Sequence, residues 1–334
     1  LRSDVRVGTC LSGGLDSSFI AGTASQIYEE SNNDKFLAFT AKSADPNNDE
    51  SDFAKEVVDY CNLDWVVSKT DVTSFKSVID SVLLAQEEPF RSPSIFLQYN
   101  IMKEAKLANC KVLLDGQGGD EVFLGYERYY APLIRSVSLR NKLKSFRAMV
   151  ANSKLSWFKG FKLLVYMSSS KIRKRRLVLR AGFLNPDALR KVSWQYLKDL
   201  SEANIRKVQV NEIERFNLPA LLRYEDKNSM QFSIETRLPF LDFRVIENGI
   251  ALEPTDKIKD GWTKFPIRKM CADLVPESIA WRKNKIGFEA PTSIWLSDVD
   301  FFVNEINNSS ILRSIAVSPI EAVKDQGMLW RLYN

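Results

Sequence analysis

The chain has 334 residues, 45% hydrophobic and 27% charged, enough to bury a sizeable core and near the size where one core becomes two. It contains no histidine, and its four cysteines are scattered without a CxxC pair, which excludes a His/Cys zinc centre and a Ser-His-Asp relay. The net charge of +5 is uneven: fifteen Lys or Arg and no Asp or Glu lie between Arg128 and Pro186, so the remainder is net −10. Such a block either meets a polyanionic partner (nucleic acid or an acidic membrane surface), forms a solvated helical face, or lines a cleft for a polyanionic ligand. No run approaches eighteen apolar residues and nothing near Leu1 reads as a secretion signal, so the expected location is cytoplasmic.

In chain order, residues 5–11 read as a strand and 17–30 as a helix. A second strand is expected at 35–40, then a helix at 49–61 with Phe53, Val57 and Val58 on its apolar face. A short strand at 65–68 precedes helices at 72–84 and 94–108, and 111–115 is the last clear strand. This alternation predicts an α/β fold, a parallel twisted sheet flanked by helices, with its functional crevice beyond the carboxyl ends of the strands. From Tyr130 the pattern becomes helical without clear strands, with helices at 140–150, 188–200, 202–216 and 264–273. The expected division is therefore an α/β core over 1–130 and a mainly helical part over 131–334 packed against it. Cys10, Cys61, Cys110 and Cys271 read as free thiols, three of them in or beside apolar runs.

Two loops carry the chemistry. Leu11-Ser12-Gly13-Gly14-Leu15-Asp16-Ser17-Ser18 follows the first strand and opens the first helix. Its glycines permit a tight turn, and the helix offers unpaired N–H groups and serine hydroxyls to an anion. It is a phosphate cradle without the GK[ST] close of a Walker loop. A carboxylate at Asp16 repels bare phosphate, so its reading beside such a cradle is as a Mg²⁺ ligand. The second loop is Asp115-Gly116-Gln117-Gly118-Gly119-Asp120-Glu121, at the end of the last clear strand. Asp120 arrives at the same sheet edge as Asp16, and the two carboxylates together suit Mg²⁺ held against phosphate oxygens. Glu235 and Arg237 are either site residues or a structural ion pair. The basic run Trp281-Arg282-Lys283-Asn284-Lys285 either steadies a phosphoanhydride or forms a surface loop.

At these residues the chain resembles the synthetase domain of glutamine-hydrolysing asparagine synthetases, within the PP-loop ATP pyrophosphatase superfamily. Ser12 to Ser18 reproduces an SGGLDSS loop, and Gly116 to Glu121 with Phe123, Gly125 and Tyr126 matches G-[EQ]-G-x-D-E-x-F-x-G-Y. Glu87-Glu88-Pro89-Phe90 with Ser92-Pro93-Ser94, Tyr224-Glu225-Asp226 with Ser229-Met230, and Glu235-Thr236-Arg237-Leu238-Pro239-Phe240-Leu241-Asp242 follow the family's order. Lys264, Arg268, Arg282, Lys285, Gly287 and Phe288 resemble its closing segment.

The resemblance implies an adenine nucleotide alpha-hydrolase-like fold that binds ATP and Mg²⁺. It assigns pyrophosphate binding to Ser12, Gly13, Gly14, Asp16 and Ser17, and Mg²⁺ to Asp16 and Asp120. It places adenine and ribose near Leu11, Thr40 and Gly116, and a transition-state lysine at Lys285. Glu235 is expected near the substrate and incoming amine, and Gln117 to bear on specificity. The implied reaction activates a carboxylate, most simply aspartate, as an acyl-adenylate with release of pyrophosphate, followed by attack of ammonia. The N-terminal glutaminase domain of such proteins has no counterpart in this chain, so ammonia is expected from that domain or from a separate glutaminase partner. A homodimer, no nucleic-acid partner and no membrane partner complete the expectation. The rivals are an amidotransferase or lactam synthetase acting on another carboxylate, such as a sugar acid, a tRNA-modifying adenylating enzyme, and a non-catalytic relative.

Overall fold

The computed structural model describes residues 1, 3–30, 34–283, 287, 289–317 and 325–334. Its centre is a five-stranded parallel sheet in the order β3-β2-β1-β4-β5, formed by β1 Val7–Cys10, β2 Leu37–Lys42, β3 Asp64–Lys69, β4 Val112–Leu114 and β5 Glu235–Arg237. All four residues of β1 and all three of β4 are buried, as central strands covered on both faces must be. The crossovers are helical: α1 Leu15–Glu29, α2 Ser51–Tyr60, α3 Val72–Gln86 and α4 Ile95–Leu107. The chain moves outward from β1 to β3 and then returns to lay β4 beside β1. The strand order reverses there, and the loops leaving β1 and β4 meet beyond the carboxyl ends of these two strands.

Two apolar layers sandwich the sheet. On one side Leu11, Ile20, Ala24, Val57 and Val122 pack with Phe240 and Ile267. On the other, Leu37, Phe39 and Leu113 meet Ile101, Met102 and Ala105 of α4. A third cluster joins α3 to the C-terminal region, where the Phe75 ring stacks on Trp295 with centroids 4.7 Å apart. α3 begins with a reciprocal cap: Asp71 accepts from the Ser74 N–H at 2.7 Å, and the Ser74 hydroxyl receives the Asp71 N–H at 2.8 Å. After α5 Gly119–Val122, the helices α6 Tyr130–Ser136, α7 Leu139–Asn152 and α8 Trp157–Ser168 gather around Leu124, Tyr129, Tyr130 and Met149, and α9 Ser170–Arg180 packs on α8.

The parallel sheet, its flanking helices and the extra helical region agree with the fold read from the sequence. Two elements differ from that reading. Helix Asn217–Gln231 and strand β5 follow one another late in the chain, and β5 joins the sheet with Val112 beside Glu235 and Leu114 beside Arg237. The helix expected over 188–200 is broken into Pro186–Arg190 and Gln195–Asp199, with Ser193 accepting the Gln195 N–H at 3.5 Å between them. The four cysteines are free thiols, three of them buried. Among the described residues no helix is long and apolar enough to cross a membrane.

Candidate active site

The loop after β1 is anchored before it turns. Leu11 donates its N–H to the Phe39 carbonyl at 2.8 Å, and its own carbonyl accepts the Thr40 hydroxyl at 2.8 Å. Trp65 donates its indole N–H to that hydroxyl at 2.9 Å, so the Thr40 side chain is fully engaged in structure. Gly13 then takes φ +71°, and a Cβ there would meet the Ala54 nitrogen at 2.5 Å. Only glycine lets the loop lie against the start of α2. The Ser12 and Ser17 hydroxyls meet at 3.1 Å, and Ser17 donates to the Gly14 carbonyl at 3.2 Å. Gly14 occupies the N-cap of α1 and supplies no side-chain cap; its N–H goes to Ser12 Oγ at 3.2 Å, and Asp16 is the acid in the helix's first turn.

The loop after β4 closes on the same point. Gly118 has φ +88°, and its missing side chain is replaced by Leu241. A Cβ on Gly116 would stand 3.0 Å from the Asp16 Cβ, and one on Gly119 would stand 2.8 Å from Asp16 Oδ1. The glycines thus permit α1 and the second loop to touch through Asp16. Asp120 begins α5 opposite it. Between the two carboxylates lies the ammonium of Lys264, 2.6 Å from Asp120 Oδ1 and ion-paired with Asp16 Oδ2. The three side chains are 5–13% exposed. Gly125 adjoins both Asp120 and Lys264, and a side chain there would displace them.

Lys264 reaches this position because its backbone is left-handed, φ +51°, at the entry to helix Phe265–Met270. One turn on, Arg268 donates to the carbonyls of Thr263 at 2.9 Å and Ala280 at 2.6 Å, fixing that entry to the segment that follows. Arg282 extends the brace. It donates to the Gly13 carbonyl at 3.1 Å, pairs with buried Glu50 and lies 3.8 Å over the Phe53 ring. A small hollow beside this loop is lined by Ser12, Ser43, Asn48, Glu50, Leu97 and Glu289, with Gly287 and Ala41 completing it.

Behind the second loop sits a cluster of buried acids. Asp115 accepts N–H groups of Gly116 and Gln117, and the Cys10 thiol lies against its carboxylate. Desolvation nevertheless pushes its carboxyl up to about 6, with Asp16 adding repulsion. Glu225, on helix Asn217–Gln231, is raised well above the carboxylate range by burial and then by Asp115. The Tyr126 hydroxyl donates to Glu121 Oε1 at 2.7 Å, and the Asn217 amide donates to the same oxygen at 2.7 Å. These bonds explain the Glu121 and Tyr126 positions of the second motif as locks on α5.

Leu11, Ser12, Gly13, Gly14, Asp16, Ser17, Thr40, Gly116 and Asp120 are therefore assembled at one sheet edge. Glu235 is not among them. It stands at the amino end of β5 beside Val112, exposed, with its carboxylate 2.6 Å from Arg237 Nε. That is the structural ion pair, at the far end of the strand from the crevice. Lys285 lies outside the described residues. The lysine seen between the carboxylates is Lys264, which the sequence marked as part of the closing motif without assigning it a role. Among the described residues no group of three or more Cys, Asp or Glu is placed to hold a metal, so any ion here relies on two carboxylates and its own ligands.

These features define a doubly wound α/β protein whose two glycine-bearing loops meet at a carboxylate pair bridged by lysine, at the switch point of the sheet. The Asparagine synthase family model matches residues 1–333, and the chain belongs to that family. It is 30% identical over 312 residues to glutamine-hydrolysing asparagine synthetase 1 of Bacillus subtilis, covering 89% of this chain and 48% of that protein. Asparagine synthetase 3 of the same organism is 27% identical over 306 residues, 85% of this chain and 45% of the relative. An amidase of Penicillium rubens, chyE, is 22% identical over 342 residues, 88% of this chain and 51% of that one. The chain spans about half the length of the curated relatives it matches.

Proposed function

We propose that this chain catalyses ATP-dependent amide formation on a carboxylate substrate through an acyl-adenylate, with release of AMP and pyrophosphate. The observation that carries the reading is the convergence of the α1 N-terminus, Asp16, Asp120 and Lys264 on one crevice. Oriented N–H groups and a buried ammonium suit the charge that develops on a departing pyrophosphate. Family membership supports the same chemistry.

The residues present fit Mg²⁺. Asp16 and Asp120 already share a cationic group, and Asp16 Oδ1 is a buried oxygen with no hydrogen-bond partner. Asp16 and Asp120 would hold the ion, which would supply neutralisation of charge on the leaving group. The chain's own residues do the rest. Ser12, Ser17 and the loop N–H groups receive the pyrophosphate end, while Leu11, Thr40 and Gly116 frame the nucleoside mainly through backbone. Lys285 keeps the transition-state role the resemblance implies for it, and Lys264 brings a second cation to the crevice between Asp16 and Asp120. Aspartate is the substrate we favour, with ammonia supplied by a glutaminase domain or partner.

The test is pyrophosphate release with ATP, Mg²⁺, ammonia and a panel of carboxylic acids, together with transfer of ¹⁸O from the labelled acid to AMP. Release and label transfer with aspartate support asparagine formation. Transfer only with another acid identifies an amidotransferase of different specificity, and release without transfer to AMP from any acid overturns the adenylate.

A further inference from the structure

The basic helices between Arg128 and Pro186 take no part in the crevice. α8 packs against α7, α9 and α6, turning Gly160 toward Met149 and Phe146 and Leu164 toward the same buried cluster. Its outward side is apolar. Phe158, Phe161 and Val165 fall at i, i+3 and i+7, one stripe of a helix, with Phe158 67% and Phe161 61% exposed. On α7, exposed Leu139 and Leu143 lie one turn apart, interleaved with Arg140 and Lys144. On α9, exposed Ile172 and Leu179 are seven residues apart and bracket Arg175 and Arg176 on the same face. Nine of the twenty-five exposed large apolar side chains among the described residues belong to these three helices.

We propose that α7, α8 and α9 form a docking face for an anionic phospholipid bilayer. Charge selects a polyanion: α7, α8 and α9 carry twelve Lys or Arg and no carboxylate, and with Arg173 buried and Arg180 paired with Asp325, ten of these remain to face a partner. The apolar side chains then select the kind of polyanion. Lysine, arginine and aromatic rings suit phosphates and bases, but Leu139, Leu143, Val165, Ile172 and Leu179 gain nothing from a nucleic acid. A headgroup layer over hydrocarbon accepts both sets at once. Lys162 holds its ammonium 4.2 Å from the centroid of the exposed Phe158 ring, a cation–π contact that places charge and aromatic surface together on the outer side of α8. The sequence alone led to no membrane partner, since composition cannot tell which apolar residues of a basic helix face outward.

Co-sedimentation of the full 334-residue chain with vesicles tests this, using pure phosphatidylcholine and a 3:1 mixture of phosphatidylcholine and phosphatidylglycerol. Binding is expected on the mixed vesicles alone. A Phe158→Ser/Phe161→Ser protein removes exposed rings without opening the core, and a Lys159→Glu/Lys162→Glu/Arg175→Glu protein removes charge. Each is expected to bind at least about tenfold more weakly, with pyrophosphate release and thermal midpoint unchanged. If the aromatic variant binds mixed vesicles like the parent while tRNA competes, the face is a nucleic-acid surface and the proposal fails. It fails equally if the parent chain ignores mixed vesicles, as a solvated face or one covered by another protein domain would.

Discussion

At the scale of single residues, Lys264 is where stability and chemistry meet. Its ammonium compensates two carboxylates that are each under 15% exposed. Removing one partner of such a group leaves unpaired buried charge, at a cost of about 3–5 kcal/mol. We expect Lys264→Met to lower unfolding free energy by that order in the presence of a chelator, and millimolar Mg²⁺ to restore part of it. Pyrophosphate release should fall roughly 10²–10³-fold, the usual loss when a donor to developing charge is deleted. Denaturant titration with and without Mg²⁺ reads the first effect, and the release assay the second. A variant of unchanged stability in chelator would remove the clasp from the account. Asp115 gives a pH signature. Its folded carboxyl is raised from 3.8 to about 6, so the stability it contributes is complete below pH 3.8 and is lost as pH rises through 6. Asp115→Asn should therefore gain on the parent between pH 4 and pH 7, by at most about 3 kcal/mol. Urea titrations at those two pH values measure the difference, and a constant offset would assign the acid cluster a single protonation state.

At the scale of elements, the loops were legible because their chemistry is local. Gly13, Asp16, Gly119 and Asp120 sit within a few residues of a strand end, and strand-then-glycine-then-helix is written in consecutive positions. β5 was not legible. Glu-Thr-Arg carries no apolar alternation, and its only anchor, buried Ile234, precedes it after a turn with Ser233 at φ +58°. Its pairing with β4 depends on residues more than a hundred positions away. Lys264 was visible as a motif residue but its place was not, since a surface lysine and one buried between aspartates look alike in one dimension. Helix Asn217–Gln231 has a consequence that can be checked. It covers α3 and α4, and Asn228 donates its amide to the Ile95 carbonyl at 3.1 Å and to Gln98 Oε1 at 3.0 Å. A fragment of residues 1–130 exposes the edge of β4 and loses that cover. It should melt without a cooperative transition by circular dichroism, whereas a fragment extended past residue 245 should show one. A sharp transition in the shorter fragment would make the α/β core self-sufficient.

Over the whole molecule, the sheet order decides which loops are neighbours, and the clasp between them is charge-balanced in a particular way. Two aspartates share one lysine there, with Arg268 within electrostatic reach of both carboxylates and the acids Asp115 and Glu121 behind them. A naked divalent ion approaching this floor competes with an ammonium already seated there, and gains only part of the attraction that two bare carboxylates would offer. An ion arriving as a chelate of a polyphosphate brings anionic oxygens of its own, and those give the displaced lysine a new counterion. The floor is thus biased toward the complexed ion over the free one. Metal and nucleotide should load as one unit, and tight binding of either should require the other.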